Sequence, residues 1–177
     1  MKIGVLGGGR VGGALAERWR EAGHAVTVST RDTLAQTVAG ADAVLLAVPA
    51  ASAQAVLEAA GPLGDAVLID ATNNLSDGLD GTAIAALVPG TPVVKAFNTV
   101  FHVFFESPAT PPASLVYCGD DDAAKGLVAR LIRDAGFEPV DAGGAEITPL
   151  VESFARLVIG IAFREGRGPF VYRFDAR

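Results

Sequence analysis

Two periods run through this chain. Short apolar runs at Ile3 to Leu6, Ala25 to Val28, Ala43 to Val48, Ala66 to Ile69, Pro92 to Lys95, Ser114 to Cys118 and Phe137 to Val140 read as strands. Between them apolar residues recur at helical spacing. Val11, Ala14, Leu15 and Trp19 mark a first helix, and further helices are expected from near Thr33, from Ala50 to Ala60, from about Gly81 to Leu87 and from Asp121 to Ala135. The last of these opens on Asp120 to Asp122 and closes on Arg130, Arg133 and Gly136, as the helix dipole and a glycine stop prefer. Strand and helix alternate without a repeat. Parallel strands need crossover helices, so the pattern predicts an α/β fold with a doubly wound, mostly parallel sheet. Ser107 to Ala113, SPATPPA, interrupts it as a proline-rich loop.

The junction between the first strand and first helix carries a G-x-G-x-x-G turn at Gly7, Gly9 and Gly12. Gly7 permits the bend, Gly9 lets a pyrophosphate approach the backbone, and Gly12 lets the helix lie close on the strand. The helix end then offers free N–H groups to the phosphates. About 20 residues later a dinucleotide fold normally places a carboxylate against the adenosine ribose. Here that strand ends in Ser29, Thr30 and Arg31. Two hydroxyls and a guanidinium suit a 2′-phosphate, which favours NADP over NAD. Asp32 offers a carboxylate one residue later; its structural reading is a residue at the start of the next helix.

Ligands in such sheets lie beyond the carboxyl ends of the strands. Those ends read Ala47-Val48-Pro49, Asp70-Ala71-Thr72-Asn73-Asn74 and Ala96-Phe97-Asn98-Thr99, small or apolar residues with amides and hydroxyls that suit a flat ring and a ribose. They hold no Ser/His/Asp set, no paired carboxylates and no metal-ligand cluster. Asp70 is expected to tie down the loop after its strand. His102 and Asn98 are the candidates for a catalytic role, His102 as a proton donor; its alternative is a loop histidine packed among phenylalanines. Lys95 can meet an anionic substrate or be an ordinary solvated or paired lysine. His24 reads as a turn residue and Cys118 as a small apolar core residue.

The 177 residues suit one domain plus a docking element, taken as a nucleotide-binding domain over 1–142 and a C-terminal helix and tail over 143–177. A net charge of −6 without a basic run argues against nucleic acid. A single cysteine excludes an internal disulfide and fits a reducing, cytoplasmic location. The N-terminus enters the first strand at once, so no signal peptide is expected, and no uncharged apolar run predicts a membrane span. Thr148 and Pro149 open a helix reaching to about Arg164. One face carries Leu150, Phe154, Leu157, Val158 and Ile161, another Val151, Ala155, Ile159 and Ala162, and Glu152, Arg156 and Arg164 form a polar stripe. Apolar on two sides, it is expected to dock on its own sheet and to join a second subunit in a homodimer.

The opening KIGVLGGGRVGGALAERWREAGHAVTVSTR, with LIDATNN and VVKAFNTV, resembles the NADPH-dependent reductases of the deazaflavin coenzyme F420 and the broader dinucleotide-binding reductases related to them. A version of the same Rossmann-type domain forms the cytosolic part of the six-transmembrane ferric reductases. The resemblance implies hydride exchange between NADPH and a deazaflavin or flavin-like ring stacked on the nicotinamide. By it Gly7, Gly9, Arg10 and Val11 hold the pyrophosphate, Thr30 and Arg31 the 2′-phosphate, and Val48, Pro49 and Ala71 line the nicotinamide, with Phe97 and Asn98 on the opposite face. Thr72 and Asn73 complete the cofactor set. The stretch between Arg31 and Asp42 is short for this family, and the proline-rich loop has its own composition. Two other readings stand beside it: a dinucleotide-binding sensor without turnover, and an imine- or hydroxyacid-type dehydrogenase whose proton comes from His102 or Lys95.

Overall fold

The computed structural model describes residues 1–73, 82–110 and 112–175. Seven strands form one sheet: β1 (Lys2–Leu6), β2 (Ala25–Val28), β3 (Ala43–Leu46), β4 (Val67–Asp70), β5 (Val93–Lys95), β6 (Ser114–Gly119) and β7 (Glu138–Asp141), in the order β2-β1-β3-β4-β5-β6-β7. All pairings are parallel except β5 with β6. The helices are α1 (Arg10–Glu21), α2 (Leu34–Val38), α3 (Ala53–Ala60), α4 (Thr82–Leu87), α5 (Val103–Glu106), α6 (Asp122–Asp134) and α7 (Thr148–Phe163). A 3-10 turn, Ala50–Ser52, leads into α3, and another, Ala145–Ile147, into α7.

Strand alternation sorts the core into layers. Ile3, Val5, Leu45, Ile69 and Val94 face α1 and α6, where Leu15, Trp19, Val128 and Ile132 are buried against them. Leu6, Val44, Leu46 and Leu68 face the α2–α4 side. Trp19 is wholly buried because its indole N–H reaches the Leu131 carbonyl at 2.9 Å, tying α1 to α6. α5 is four residues long and packs on α1, where Arg18 donates to the Phe105 and Glu106 carbonyls at 2.8 and 2.7 Å. It carries the chain into the proline-rich loop, whose Pro108 lies beside Arg18, Glu21 and Ala22, the far end of α1 from the glycine turn. Pro111 and Asn74, and the expected helix start at Gly81, lie outside the described residues.

α7 docks by a single stripe, Thr148, Val151, Glu152, Ala155, Val158 and Ala162, all buried. Val151 packs with Val116 and Cys118 of β6, whose neighbours Leu115 and Tyr117 point into the α6 layer. The expected polar stripe is corrected here at Glu152, which is 3% exposed. Its carboxylate accepts from Lys95 Nζ at 2.8 Å, and the same Nζ donates to Asp70 Oδ2 at 2.9 Å and to the Thr72 carbonyl at 2.7 Å. Lys95 is 2% exposed and Asp70 fully buried, so Lys95 is not a solvated lysine. Asp70 Oδ1 takes the Thr72 N–H at 2.9 Å, the loop-fastening role its strand-end position suggests.

The residues after α7 return over their own chain. Ser114 N–H donates to the Tyr172 carbonyl, Phe174 N–H to Ser114 Oγ, and the Tyr172 ring packs edge-on against Phe154 at 4.8 Å. Part of the second apolar face of α7 is therefore covered from within, while Leu150, Leu157 and Phe163 stay largely exposed. No helix among the described residues is long and apolar enough to cross a membrane.

One ammonium between two buried carboxylates makes the three positions unequal. Lys95→Met leaves Asp70 and Glu152 buried without a counter-charge and is expected to cost about 3–5 kcal/mol. Glu152→Gln keeps an acceptor for Nζ and leaves a balanced Lys95–Asp70 pair, at a cost below about 2 kcal/mol. Urea unfolding midpoints of the two variants check the order.

Candidate functional site

β1 and β3 are neighbours, and the chain leaves them in opposite directions, to β2 and to β4. This opens the crevice beyond their carboxyl ends where doubly wound sheets bind ligands. The glycine turn fills the end of β1, and each glycine is needed for a different reason. Gly7 has φ +106°, and a Cβ there would stand 2.5 Å from the Ala47 carbonyl oxygen after β3. A Cβ at Gly12 would stand 2.0 Å from the Gly7 carbonyl oxygen, so only glycine lets α1 start this close to β1. At Gly9 a Cβ would meet nothing within 4 Å. The backbone there faces open space, and Gly9 caps α1 without any side chain on its first-turn N–H groups. A bare, uncapped helix start beside an open approach fits a pyrophosphate.

Ser29, Thr30 and Arg31 follow β2 at the edge of this crevice. Ser29 N–H bonds the Val5 carbonyl, continuing the β1 pairing. Thr30 N–H donates to Thr33 Oγ1 at 2.8 Å and the two hydroxyls lie 3.0 Å apart, which shapes the turn before α2. Arg31 is exposed and forms no hydrogen bond or ion pair with the described residues. Thr33, rather than Asp32, stands at the start of α2, and Asp32 is exposed.

Val48, Ala71 and Asn73 are half-buried and Pro49 exposed, at the ends of β3 and β4. Thr72 is buried, its backbone held at both ends by Asp70 and Lys95. Phe97 departs from expectation: it is 1% exposed, with its ring edge-on to Trp19 at 5.6 Å and to Phe105 at 6.0 Å. Its side chain belongs to the α1–α6 core and cannot form a face of a ligand pocket. Its backbone has φ +66°, a left-handed conformation costing about 1–3 kcal/mol for a bulky residue, sustained by the aromatic packing. The kink redirects the chain into Asn98, whose amide pairs with that of Asn73 across the two loops.

His102 is half-buried at the start of α5; its backbone carbonyl accepts from Phe105 and Glu106 N–H, and its ring has no hydrogen bond among the described residues. His24 is a structural residue, 8% exposed and 2.9 Å from Asp134. Cys118 packs in the α7 layer with its Sγ 3.5 Å from Thr148 Oγ1, and burial pushes its thiol pKa up. No group of three or more potential metal ligands occurs among the described residues. Sequence reading missed the Asn73–Asn98 pair, the Lys95–Glu152 bond and Tyr172, whose hydroxyl lies 2.6 Å from Thr99 Oγ1 and whose pKa burial raises. A lone carboxylate among the small apolar residues of α7 was the one available signal for the second of these.

Residues 2–74 match the family model described as NADP oxidoreductase, coenzyme F420-dependent. A crystal structure of a candidate F420-dependent NADP reductase from Arthrobacter sp. FB24 superposes with a TM-score of 0.88 at 28% identity, covering 99% of this chain and 100% of that one. The metalloreductase STEAP3 of Rattus norvegicus is 27% identical over 174 residues, 86% of this chain. The chain spans about a third of that relative's length, 36%. A reductive aminase from Aspergillus terreus, in complex with NADPH and ethyl levulinate, shares the fold alone, with a TM-score of 0.73 at 18% identity over 93% of this chain and 62% of that one. The glycine turn, the crevice beside it and these likenesses converge: residues 2–74 are similar to NADP oxidoreductases of the coenzyme F420-dependent type, and the chain has the fold seen in NADP-dependent reductases.

Proposed function

We propose that this chain passes a hydride between NADP(H) and a deazaflavin or flavin-like ring held against the nicotinamide, and that it works as a homodimer joined through α7. The observation that carries the reading is the bare, open glycine turn with Arg31 beside it, which forms no hydrogen bond or ion pair with the described residues. When bound, the nicotinamide supplies or receives the hydride. The chain's own part is binding and orientation. Gly7, Gly9, Arg10, Val11 and Gly12 would hold the pyrophosphate, Ser29, Thr30 and Arg31 the 2′-phosphate, and Val48, Pro49, Ala71, Thr72 and Asn73 the nicotinamide end. Transfer between two apposed rings needs proximity above all, which can lower the barrier by about 7–11 kcal/mol without a proton donor.

The dehydrogenase reading requires such a donor. Lys95 is a poor one, since its hydrogen bonds among the described residues run inward to Asp70, Thr72 and Glu152. His102 is then the remaining candidate. Pro108 of the proline-rich loop packs at the end of α1 opposite the glycine turn. A second copy of the chain suits the exposed Leu150, Leu157 and Phe163, at 65%, 59% and 64% exposure.

Arg31→Ala is expected to weaken NADPH by roughly ten- to a hundredfold, the worth of one charge-assisted contact of about 1.5–3 kcal/mol, and to leave NADH nearly unchanged. Titrating both cofactors tests it, and equal losses would overturn the 2′-phosphate assignment. His102→Gln should reduce turnover less than about tenfold, whereas a general acid is worth about a hundredfold or more. In the same steady-state assay with a deazaflavin acceptor, Ala71→Phe should abolish hydride transfer by filling the nicotinamide end, while 2′,5′-ADP, which lacks that end, should still bind. Light scattering should give a dimer mass for the native chain and a monomer mass for Leu150→Glu/Leu157→Glu.

A further inference from the structure

Asn98 is 5% exposed, yet its side-chain carbonyl oxygen has no hydrogen-bond partner among the described residues. The amide's orientation is settled by its neighbour. Asn73 Nδ2 donates to the Asn98 backbone carbonyl at 2.8 Å, which turns Asn73 Oδ1 toward Asn98. Asn98 must therefore present its NH2 to that oxygen, at 3.2 Å, and Oδ1 is left facing the other way. Exchanging the two atoms would set oxygen against oxygen. Buried polar atoms in native proteins are almost always paired, so an acceptor held out of water without a donor marks a place where a donor arrives.

Two further observations point the same way. Asn98 follows Phe97, the one non-glycine residue with positive φ among those described, whose ring is fixed in the core. Such a kink at a strand end holds the next residue in a place that an ordinary strand would not reach. Asn98 also lines a small cavity of about 60 Å³ between the loops after β4 and β5 and the helix α7, with Asn73, Thr99, Phe101, Ala155 and Val158 around it. Most of that wall is apolar. The Thr99 hydroxyl is already engaged by Tyr172. A space this size admits a planar primary amide.

Resting on the NADP(H) reading above, we infer that Asn98 Oδ1 recognises the carboxamide N–H of the nicotinamide. Asn73 sets the direction of the acceptor, and α7 roofs the space, so the last helix takes part in reading the reactive end of the cofactor. Recognition of this kind is selective, because an analogue lacking the N–H leaves the same buried oxygen unpaired.

The test compares NADP⁺ with its 3-acetylpyridine analogue, in which a methyl ketone replaces the carboxamide at nearly constant size, and with 2′,5′-ADP, which lacks the nicotinamide. Affinities are read by isothermal titration calorimetry, independent of turnover. The native chain should bind the acetylpyridine analogue about ten- to thirtyfold more weakly than NADP⁺. Asn98→Ala should bind the two within about twofold of each other and should bind 2′,5′-ADP as the native chain does, which also certifies that the variant is folded. A native chain that binds NADP⁺ and its acetyl analogue equally overturns the inference while leaving the NADP(H) reading in place, and this arm needs no variant. Discrimination that persists undiminished in Asn98→Ala overturns it as well, since another group then reads the amide and a structural water satisfies Oδ1. A native chain that binds neither NADP⁺ nor 2′,5′-ADP refutes the NADP(H) reading and the inference with it.

Discussion

The buried ammonium of Lys95 is the point through which the architecture is tied together. Its three hydrogen bonds reach the end of β4, the loop after it and the middle of α7, which are remote from one another in sequence. Asp70 and Lys95 sit side by side in the β4–β5 register and continue the face on which Leu46 and Leu68 are buried. Without the opposing charges the sheet would end there in an ordinary apolar row, and α7 would be seated by apolar packing on β6 alone. With them, the seat of α7 and the course of residues 70–73 are set by one group. A buried charge cluster of this kind is a poor source of net stability, because desolvation consumes most of the attraction. Its value lies in geometry: the observed arrangement of these elements brings all three partners to one ammonium.

The nucleotide-binding half was legible from the sequence because its constraints are local. Gly7 and Gly12 are required by contacts within a few residues or with the adjoining strand, and the apolar runs place every strand to within two residues of its observed bounds. Strand direction was less accessible. Periodicity reports which residues face inward and carries no sign of polarity, so the reversal between β5 and β6 is absent from it. α5, at four residues, is too short to show a helical period.

At the site, the errors share one cause. Residue type predicts environment on average, and tertiary pairing overrides it. Glu152 looked like part of a solvated stripe with Arg156, yet it lies on the docked face because a lysine from another element waits there. Phe97 looked available to a ligand because it stands at a strand end, but its positive φ turns the ring back to Trp19. The Asn73–Asn98 pair joins residues 25 apart by amides that are individually unremarkable. Nothing short of the folded loops brings them into view.

β5 is only three residues long, and so short a strand has little of its own to fix its alignment with a neighbour. Side chains alternate between faces, so a slip of one residue would send the Lys95 ammonium into the layer of Trp19 and Phe97 and bring Val94 against Asp70 and Glu152. Either outcome strands a charge in an apolar layer. A slip between β4 and β5 is therefore penalised on both faces of the sheet at once, and the observed register is the one that sets Lys95 beside Asp70 and Glu152.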